Sequence, residues 1–405
     1  MKSGNPHQST GVVPESGLVP PEPQPVVAGV HRIEQLDSLR GLAALNVFFA
    51  HCFPLYAVVT PTMHLWLVLM PTRLLGDGHP AVLFFFLLSG FVLYLPFTKP
   101  GTPPYGPYLV RRVCRIYIPY VVAIAFTAIT CQIFSHPLAN INPAAFTWHR
   151  LSAHEFARQF SLFLSCILPF YRSGWNGAMW SIAEEMRISL FFPLLALGVR
   201  RLHWRWSLLA ALLTSLACAE AVRVSQHFFP FMTFHYAGIF VVGATLAKYK
   251  SPLCVWARKL HSFYWLAALI AITLAAYAST LAALGPATFS EELSDLAVTV
   301  GNSLILLTAL ESARLCAFLR LAPVLALGRV SYSFYLYFQP ALFIAACVLW
   351  TRVPNPVVFL IGLIGTALLA LTSYRWVELP SIALGRRLTG HPLRTHPGHP
   401  LRTHP

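Results

Sequence analysis

PAVLFFFLLSGFVLYLPF, residues 80–97, carries no charged side chain in eighteen positions. A helix of that length rises about 27 Å, close to the hydrocarbon thickness of a bilayer. Backbone groups find no water in lipid, so only helices and closed barrels cross it. The stretch lacks the strict alternation of a barrel strand and reads as a spanning helix. Working outward, similar runs recur at 41–59, 116–135, 182–199, 206–222, 234–247, 262–284, 295–311, 330–350 and 356–374. An apolar stretch at 159–170 is too short to cross and reads as interfacial or re-entrant. The expected fold is all-α, a polytopic membrane helix bundle with about ten transmembrane helices.

Composition agrees. Of 405 residues, 56% are hydrophobic and only 11% charged, against about a quarter charged in a soluble domain. The net charge of +15 does not point to nucleic acid. With an even number of spans and the N-terminus inside, twenty-one Lys and Arg fall on cytoplasmic segments and six outside. That asymmetry follows the positive-inside rule and places both termini in the cytoplasm, against an anionic leaflet. Residues 1–32 read as a disordered Pro-rich arm without the apolar centre of a signal peptide. Residues 33–386 form the membrane domain. Residues 387–405 form a low-complexity tail that repeats HPLRTHP at 391–397 and 399–405. Eight cysteines without a CxxC pair indicate neither a disulfide framework nor a zinc site, so no metal is expected.

Ionisable groups inside a span are costly, so they are the first candidates for function. His51 lies about ten residues into the first run, near mid-membrane. Arg40 precedes it by eleven residues, close to three turns, so Asp37, Arg40, Ala44, Val47 and His51 share one helix face. The alternative is a histidine satisfied by a neighbouring helix. Arg112 and Arg115 at the start of the third run share a face by their i, i+3 spacing. Two guanidinium forks there suit phosphate, although positive-inside flanking charge alone also accounts for them. Trp180, Ser181, Glu184 and Glu185 open the fourth run, where adjacent glutamates diverge by about 100°. Glu185 then sits near the outer face, about 10 Å from His51 along the membrane normal. Glu220 and Glu311 read as solvated span ends, His235 as interfacial, and Glu291, Glu292 and Asp295 as an external acidic loop.

Taken in order, these pieces resemble the acyltransferase type 3 family of multi-pass O-acyltransferases. LDSLRGLAALNVFFAH (Leu36–His51) resembles its opening motif, and FFFLLSGF (Phe84–Phe91), with Ser89, its second-helix signature. Arg112 and Arg115 match R-x-x-R, and WSIAEE (Trp180–Glu185) resembles W-S-x-x-x-E. GRVSYSFYLYFQP (Gly328–Pro340) and YRWVELP (Tyr374–Pro380) resemble the ninth-helix and closing motifs. One departure is Phe338, followed by Gln339, where family members usually carry histidine.

The resemblance implies a bacterial inner-membrane enzyme that needs no bound cofactor. It moves an acyl group, often acetyl, from acyl-CoA to a hydroxyl of a carbohydrate or glycoconjugate. His51 is then the base, and Glu185 is the candidate either to orient it, if the 159–185 region re-enters, or to contact the acceptor. Arg40, Arg112 and Arg115 are donor-binding, and Asp37, Ser89, Trp180 and Ser181 complete the pocket. The competing class is a proton-coupled transporter, which the same intramembrane His, Arg and Glu would suit. No internal repeat of the transporter kind is visible.

Overall fold

A computed structural model describes residues 33–55, 78–134, 152–154, 157, 176, 179–225, 230–259, 291–350 and 352–390. Among the described residues the chain is helical, without strands. The helices are α1 (Glu34–Leu55), α2 (His79–Tyr94), α3 (Tyr105–Arg112), α4 (Ile118–Ile133), α5 (Met179–Arg201), α6 (Trp204–Ser225) and α7 (Phe231–Lys248). They continue with α8 (Lys250–Lys259), α9 (Glu291–Glu311), α10 (Ala313–Leu319), α11 (Ala322–Leu349), α12 (Asn355–Ser373) and α13 (Leu379–Leu388). A π-helical turn, Val113–Tyr117, joins α3 to α4, and another, Tyr374–Glu378, joins α12 to α13.

Seven helices among the described residues are long and apolar enough to cross a membrane. The expected ten are not reached by this criterion. The stretches 262–284 and 159–170 lie outside the described residues, and α1 and α5 are long but carry charged groups. The third span starts earlier than the hydropathy suggests. Its helix runs unbroken from Tyr105 to Ile133, so Arg112 lies about 10 Å inside it rather than at its tip.

Glycine sets the closest helix contacts, as lipid-embedded bundles require when no hydrophobic gain separates helix from lipid. A Cβ on Gly41 of α1 would come 2.7 Å from the Gly328 nitrogen of α11. One on Gly328 would come 2.6 Å from the Asp37 carbonyl carbon. Between α2 and α7, Gly90 lies against the Phe240 carbonyl and Gly243 against that of Leu87, with no room for a Cβ at either. These contacts bring α1 and α11 together on one side of the core and α2 and α7 on the other. Phe48, Phe86, Phe91, Phe240, Phe334 and Phe338 fill the space between them and are fully buried. The outer faces of α6 and α12 instead expose Leu209, Leu213, Leu360, Ile364 and Leu368. Water would make such stripes a liability, whereas lipid chains wet them. The chain is an integral membrane protein.

Candidate active site

Two polar layers sit inside the bundle, at opposite ends of α2. The first gathers around Glu185 of α5. Its Oε1 accepts from Arg112 Nη2 and from Ser89 Oγ, both at 2.8 Å. Arg112 also donates to Ser189 Oγ, at 3.2 Å from Nε and 3.1 Å from Nη2, and Ser189 donates back to the Glu185 carbonyl at 2.7 Å. Tyr108 donates to the Ser189 carbonyl at 3.0 Å, fixing α3 against the same turn of α5. Arg40 of α1 lies within electrostatic range of Glu185, Arg112 and Arg115, and its Nη1 is 3.4 Å from Asp37 Oδ1. Arg40 and Arg112 are each paired with a carboxylate, Asp37 and Glu185, and Arg115 near Arg40 adds one positive charge to the neighbourhood.

The π-helical turn alters the expected pairing of the arginines. An i→i+5 ladder carries more residues per turn than an α-helix, so the i, i+3 spacing no longer keeps Arg112 and Arg115 on one face. Arg112 turns inward to Glu185, while Arg115 is exposed. Tyr332 of α11 donates to the Ile116 carbonyl at 2.7 Å, holding the turn from the other side.

The second layer lies about 16 Å away along α1, eleven residues at 1.5 Å each. His51 Nδ1 is 2.8 Å from the Val47 carbonyl. A carbonyl only accepts, so Nδ1 carries the proton and the neutral ring presents its lone pair at Nε2. The ring packs edge-on against Phe338, with centroids 4.8 Å apart. Phe338 meets Tyr335, whose hydroxyl shares a 2.8 Å hydrogen bond with Ser181. The Ser181–Tyr335 pair stands between the layers, and Trp180 faces the His51 end, stacked on His79.

The structure therefore corrects one placement: Glu185 is not set apart at the outer face but meets Arg112. Glu185 belongs with the arginines, and His51 belongs with the start of α2. A Cβ on Gly78, the residue before α2, would come 3.3 Å from Ala50 Cβ and 3.6 Å from Val47 Cα. No contact brings Glu185 to His51 among the described residues.

Two other expectations are corrected. His235 is not interfacial but fully buried, its Nδ1 2.6 Å from Ser215 Oγ and its Nε2 3.1 Å from Asp295 Oδ2. Asp295 lies in helix α9 rather than in an external loop, and it is 2% exposed. Its other oxygen is 2.7 Å from His79 Nε2. Desolvation explains the move inward, because an apolar setting that hydrogen-bonds every oxygen holds a carboxylate where an unpartnered one would be expelled. Glu184, the other half of the glutamate pair, is bound at 2.6 Å by both Arg187 and Thr233. His79, Asp295 and His235 went unrecognised in the sequence. The signal was available, since all three stand within two residues of a span edge.

With the layers in place, comparison with known proteins is informative. The profile of the acyltransferase type 3 family, described as an acyltransferase domain, matches residues 33–375. The chain belongs to this family. Searches of curated proteins and of solved structures returned no match. The matched segment of this acyltransferase holds both layers, from Arg40 and His51 through Ser89, Arg112, Glu185 and Asp295 to Phe338. Membership also decides between the two classes weighed from the sequence, in favour of an enzyme over a porter.

Proposed function

We propose that this acyltransferase takes an acyl group, acetyl in the simplest case, from cytoplasmic acyl-CoA and passes it to a hydroxyl of a carbohydrate or glycoconjugate. One observation carries the reading: Arg40, the member of the arginine layer on α1, lies on the same helix as the His51 imidazole, about 16 Å from it. The span suits a donor whose charged end and reactive end are separated by an extended arm, as the diphosphate and thioester of acyl-CoA are by pantetheine.

Arg115 and Arg40 hold the phosphates, and guanidinium forks suit that task. Arg112 is occupied with Glu185 and Ser189. It serves first to fix Glu185, and through it the wall between α2, α3 and α5. The arm runs along α1 toward His51. His51 Nε2 removes the acceptor hydroxyl proton as the oxygen attacks the thioester carbonyl. The C–O bond forms, the C–S bond breaks, and the proton passes to the departing thiolate. Atoms and charge balance without any redox partner or metal ion.

On this reading the arginine layer faces the cytoplasm, where CoA is found. That agrees with the 21 to 6 partition of Lys and Arg and with an inner-membrane location, termini inside. The test is acetyl-CoA turnover by the purified protein in detergent, together with mass spectrometry of surface glycans from cells with and without the gene. We expect thioester cleavage that His51→Ala reduces about 10²–10⁴-fold, the usual contribution of a general base. A variant that keeps more than a few per cent of the rate removes His51 from this role.

A further inference from the structure

After residue 375, where the match to the family profile ends, the chain adds helix α13, and that helix lies against the R-x-x-R segment. Gly385 makes the contact. A Cβ added there would come 3.0 Å from Cys114 Cβ and 3.3 Å from Arg111 Cα. Arg386 follows Gly385 as Arg115 follows Cys114, and both arginines are exposed. Two cationic side chains therefore leave adjoining turns of closely packed helices. Neither 105–117 nor 379–388 contains a carboxylate to set between them. Glu378, just before α13, is buried and accepts from Ser333 at 2.7 Å. Like charges so placed repel, and a bound anion removes the repulsion.

The direction of α13 follows from its neighbours. α11 runs parallel to α4, since Tyr332 donates to the Ile116 carbonyl and Cys347 to that of Phe134. α12 runs back along α11, with Gly362 beside Leu342 and Ser373 beside Ser333. α13 continues α12 and so lies antiparallel to α3. Residues after Gly385 head for the Tyr105 end of α3, which puts Arg386 farther out than Arg115. Length agrees. The continuous helix Asn355–Leu388 has 34 residues and rises about 51 Å, against about 30 Å of hydrocarbon. The nineteen residues of α12 nearly cross that core by themselves, so α13 is the part that extends beyond it. The helix dipole and the positive-inside rule also favour arginine at such an end. Arg387, exposed on the same turn, serves both equally well. It lies about 200° round the helix from Gly385, facing away from α3, whereas Arg386 lies about 100° round, beside the contact.

We propose that Arg386 binds the ribose 3′-phosphate of acyl-CoA, outside the diphosphate site of Arg40 and Arg115, and so makes the enzyme select CoA thioesters over dephospho-CoA thioesters. The inference rests on the acyl-CoA reading above and deepens it. Acyl-CoA carries two separate anionic groups, the diphosphate at the head of the pantetheine arm and a phosphate monoester on the ribose beyond it. Arg115 and Arg386, on adjoining turns at successive depths, match that order. A guanidinium fork takes two oxygens of a phosphate monoester through parallel hydrogen bonds.

The experiment measures steady-state turnover by the full-length protein in detergent with two donors, acetyl-CoA and acetyl-dephospho-CoA, which lacks only the ribose 3′-phosphate. The parent is expected to show a KM about tenfold lower for acetyl-CoA, as one charge-assisted contact gives. Arg386→Gln raises the KM for acetyl-CoA to that of the dephospho donor and leaves the latter where it was, so the preference disappears. Turnover of the dephospho donor certifies the fold of the variant. Arg386→Lys restores part of the preference, because the charge returns without the fork. Arg387→Ala, which removes the same charge from the same turn, keeps it. An Arg386→Gln protein whose preference stays within about twofold of the parent's overturns the proposal. So does an Arg387→Ala protein that loses the preference equally, since charge at the helix end then suffices. A parent that cleaves neither donor overturns the underlying reading and this one with it, whereas a parent that cleaves both with equal KM overturns this one alone.

Discussion

At the scale of residues, the two arginines of R-x-x-R have different work. Arg112 spends its hydrogen bonds on Glu185 and Ser189, and Arg115 stands exposed beside Arg40. Their substitutions should separate kinetically. On the proposed reading, Arg115→Ala removes a phosphate contact and should raise the KM for acetyl-CoA several-fold to tenfold with little change in kcat. Arg115→Lys should recover part of it, because an ammonium keeps the charge but loses the fork. Arg112→Ala takes the guanidinium away from Glu185, which keeps the Ser89 hydroxyl, and loosens α3 from α5. It should lower kcat and thermal stability together. Steady-state kinetics with acetyl-CoA and with a short pantetheine thioester tell the cases apart. The Arg115 effect should shrink for the short donor, which lacks nucleotide phosphates, and the Arg112 effect should not. Equal behaviour of the two variants would contradict the division. The sequence marked these two side chains, with Glu185, His51 and Arg40, as candidates. It could not show which of them meet, because spacing along one helix says nothing of the rotation of its neighbours.

At the scale of elements, glycine contacts decide how α2 and α7 pack. Gly90 and Gly243 face the backbone carbonyls of Phe240 and Leu87. Any side chain there pushes the helix axes apart, since backbone cannot yield as a side-chain tip can. Gly243→Ala should destabilise the protein by roughly 1–3 kcal/mol, the range of overpacked cores, and Gly243→Leu should prevent correct packing. Gly198, by contrast, has nothing within 4 Å of an added Cβ. Gly198→Ala should be neutral or mildly stabilising, since alanine favours the helix by up to about 1 kcal/mol. Thermal unfolding in detergent, followed by loss of monodisperse protein, compares the three. A Gly243→Ala melting point equal to the parent's would show that α2 and α7 are not held backbone to backbone. The π-helical turns are the other device at this scale. Val113–Tyr117 turns Arg115 away from Arg112, and α13 packs on that segment, where an added Cβ on Gly385 would lie 3.0 Å from Cys114 Cβ.

At the scale of the whole molecule, the two layers give the bundle a direction. The arginine layer is reached from the end of α2 that holds Ser89, and the histidine layer from the end that holds His79. On the proposed reading, donor phosphates enter from one side of the membrane and the reactive carbonyl lies toward the other. That predicts a sided enzyme. In inverted membrane vesicles, which expose the cytoplasmic face, added acetyl-CoA should be consumed. In right-side-out vesicles it should not until they are permeabilised. A reporter fused after Pro405 should be active only in the cytoplasm. A reporter active only outside would reverse the assigned direction, and equal turnover in both vesicle types would remove the sidedness. The exposed leucines of α6 and α12 fit this picture of a bundle bathed in lipid.

The sequence by itself determined the solvent, the secondary structure and the family. Long uncharged runs such as 80–97 admit only lipid outside and helix inside. The ordered motifs from Leu36 to Pro380 agree with the family match over residues 33–375. The tertiary structure alone decided which polar groups meet. Glu185 joins Arg112 from 73 positions away, and Asp295 joins His79 from 216. The physical reason is that hydropathy reports how far a segment sits from water, not how a helix is rotated or where it starts. A carboxylate two residues inside a span edge reads as solvated until a partner from another helix is seen to hold it. The π-helical turn is hidden for the same cause, since it is fixed by contacts such as the Tyr332 hydroxyl on the Ile116 carbonyl, made by a helix more than two hundred residues further along the chain.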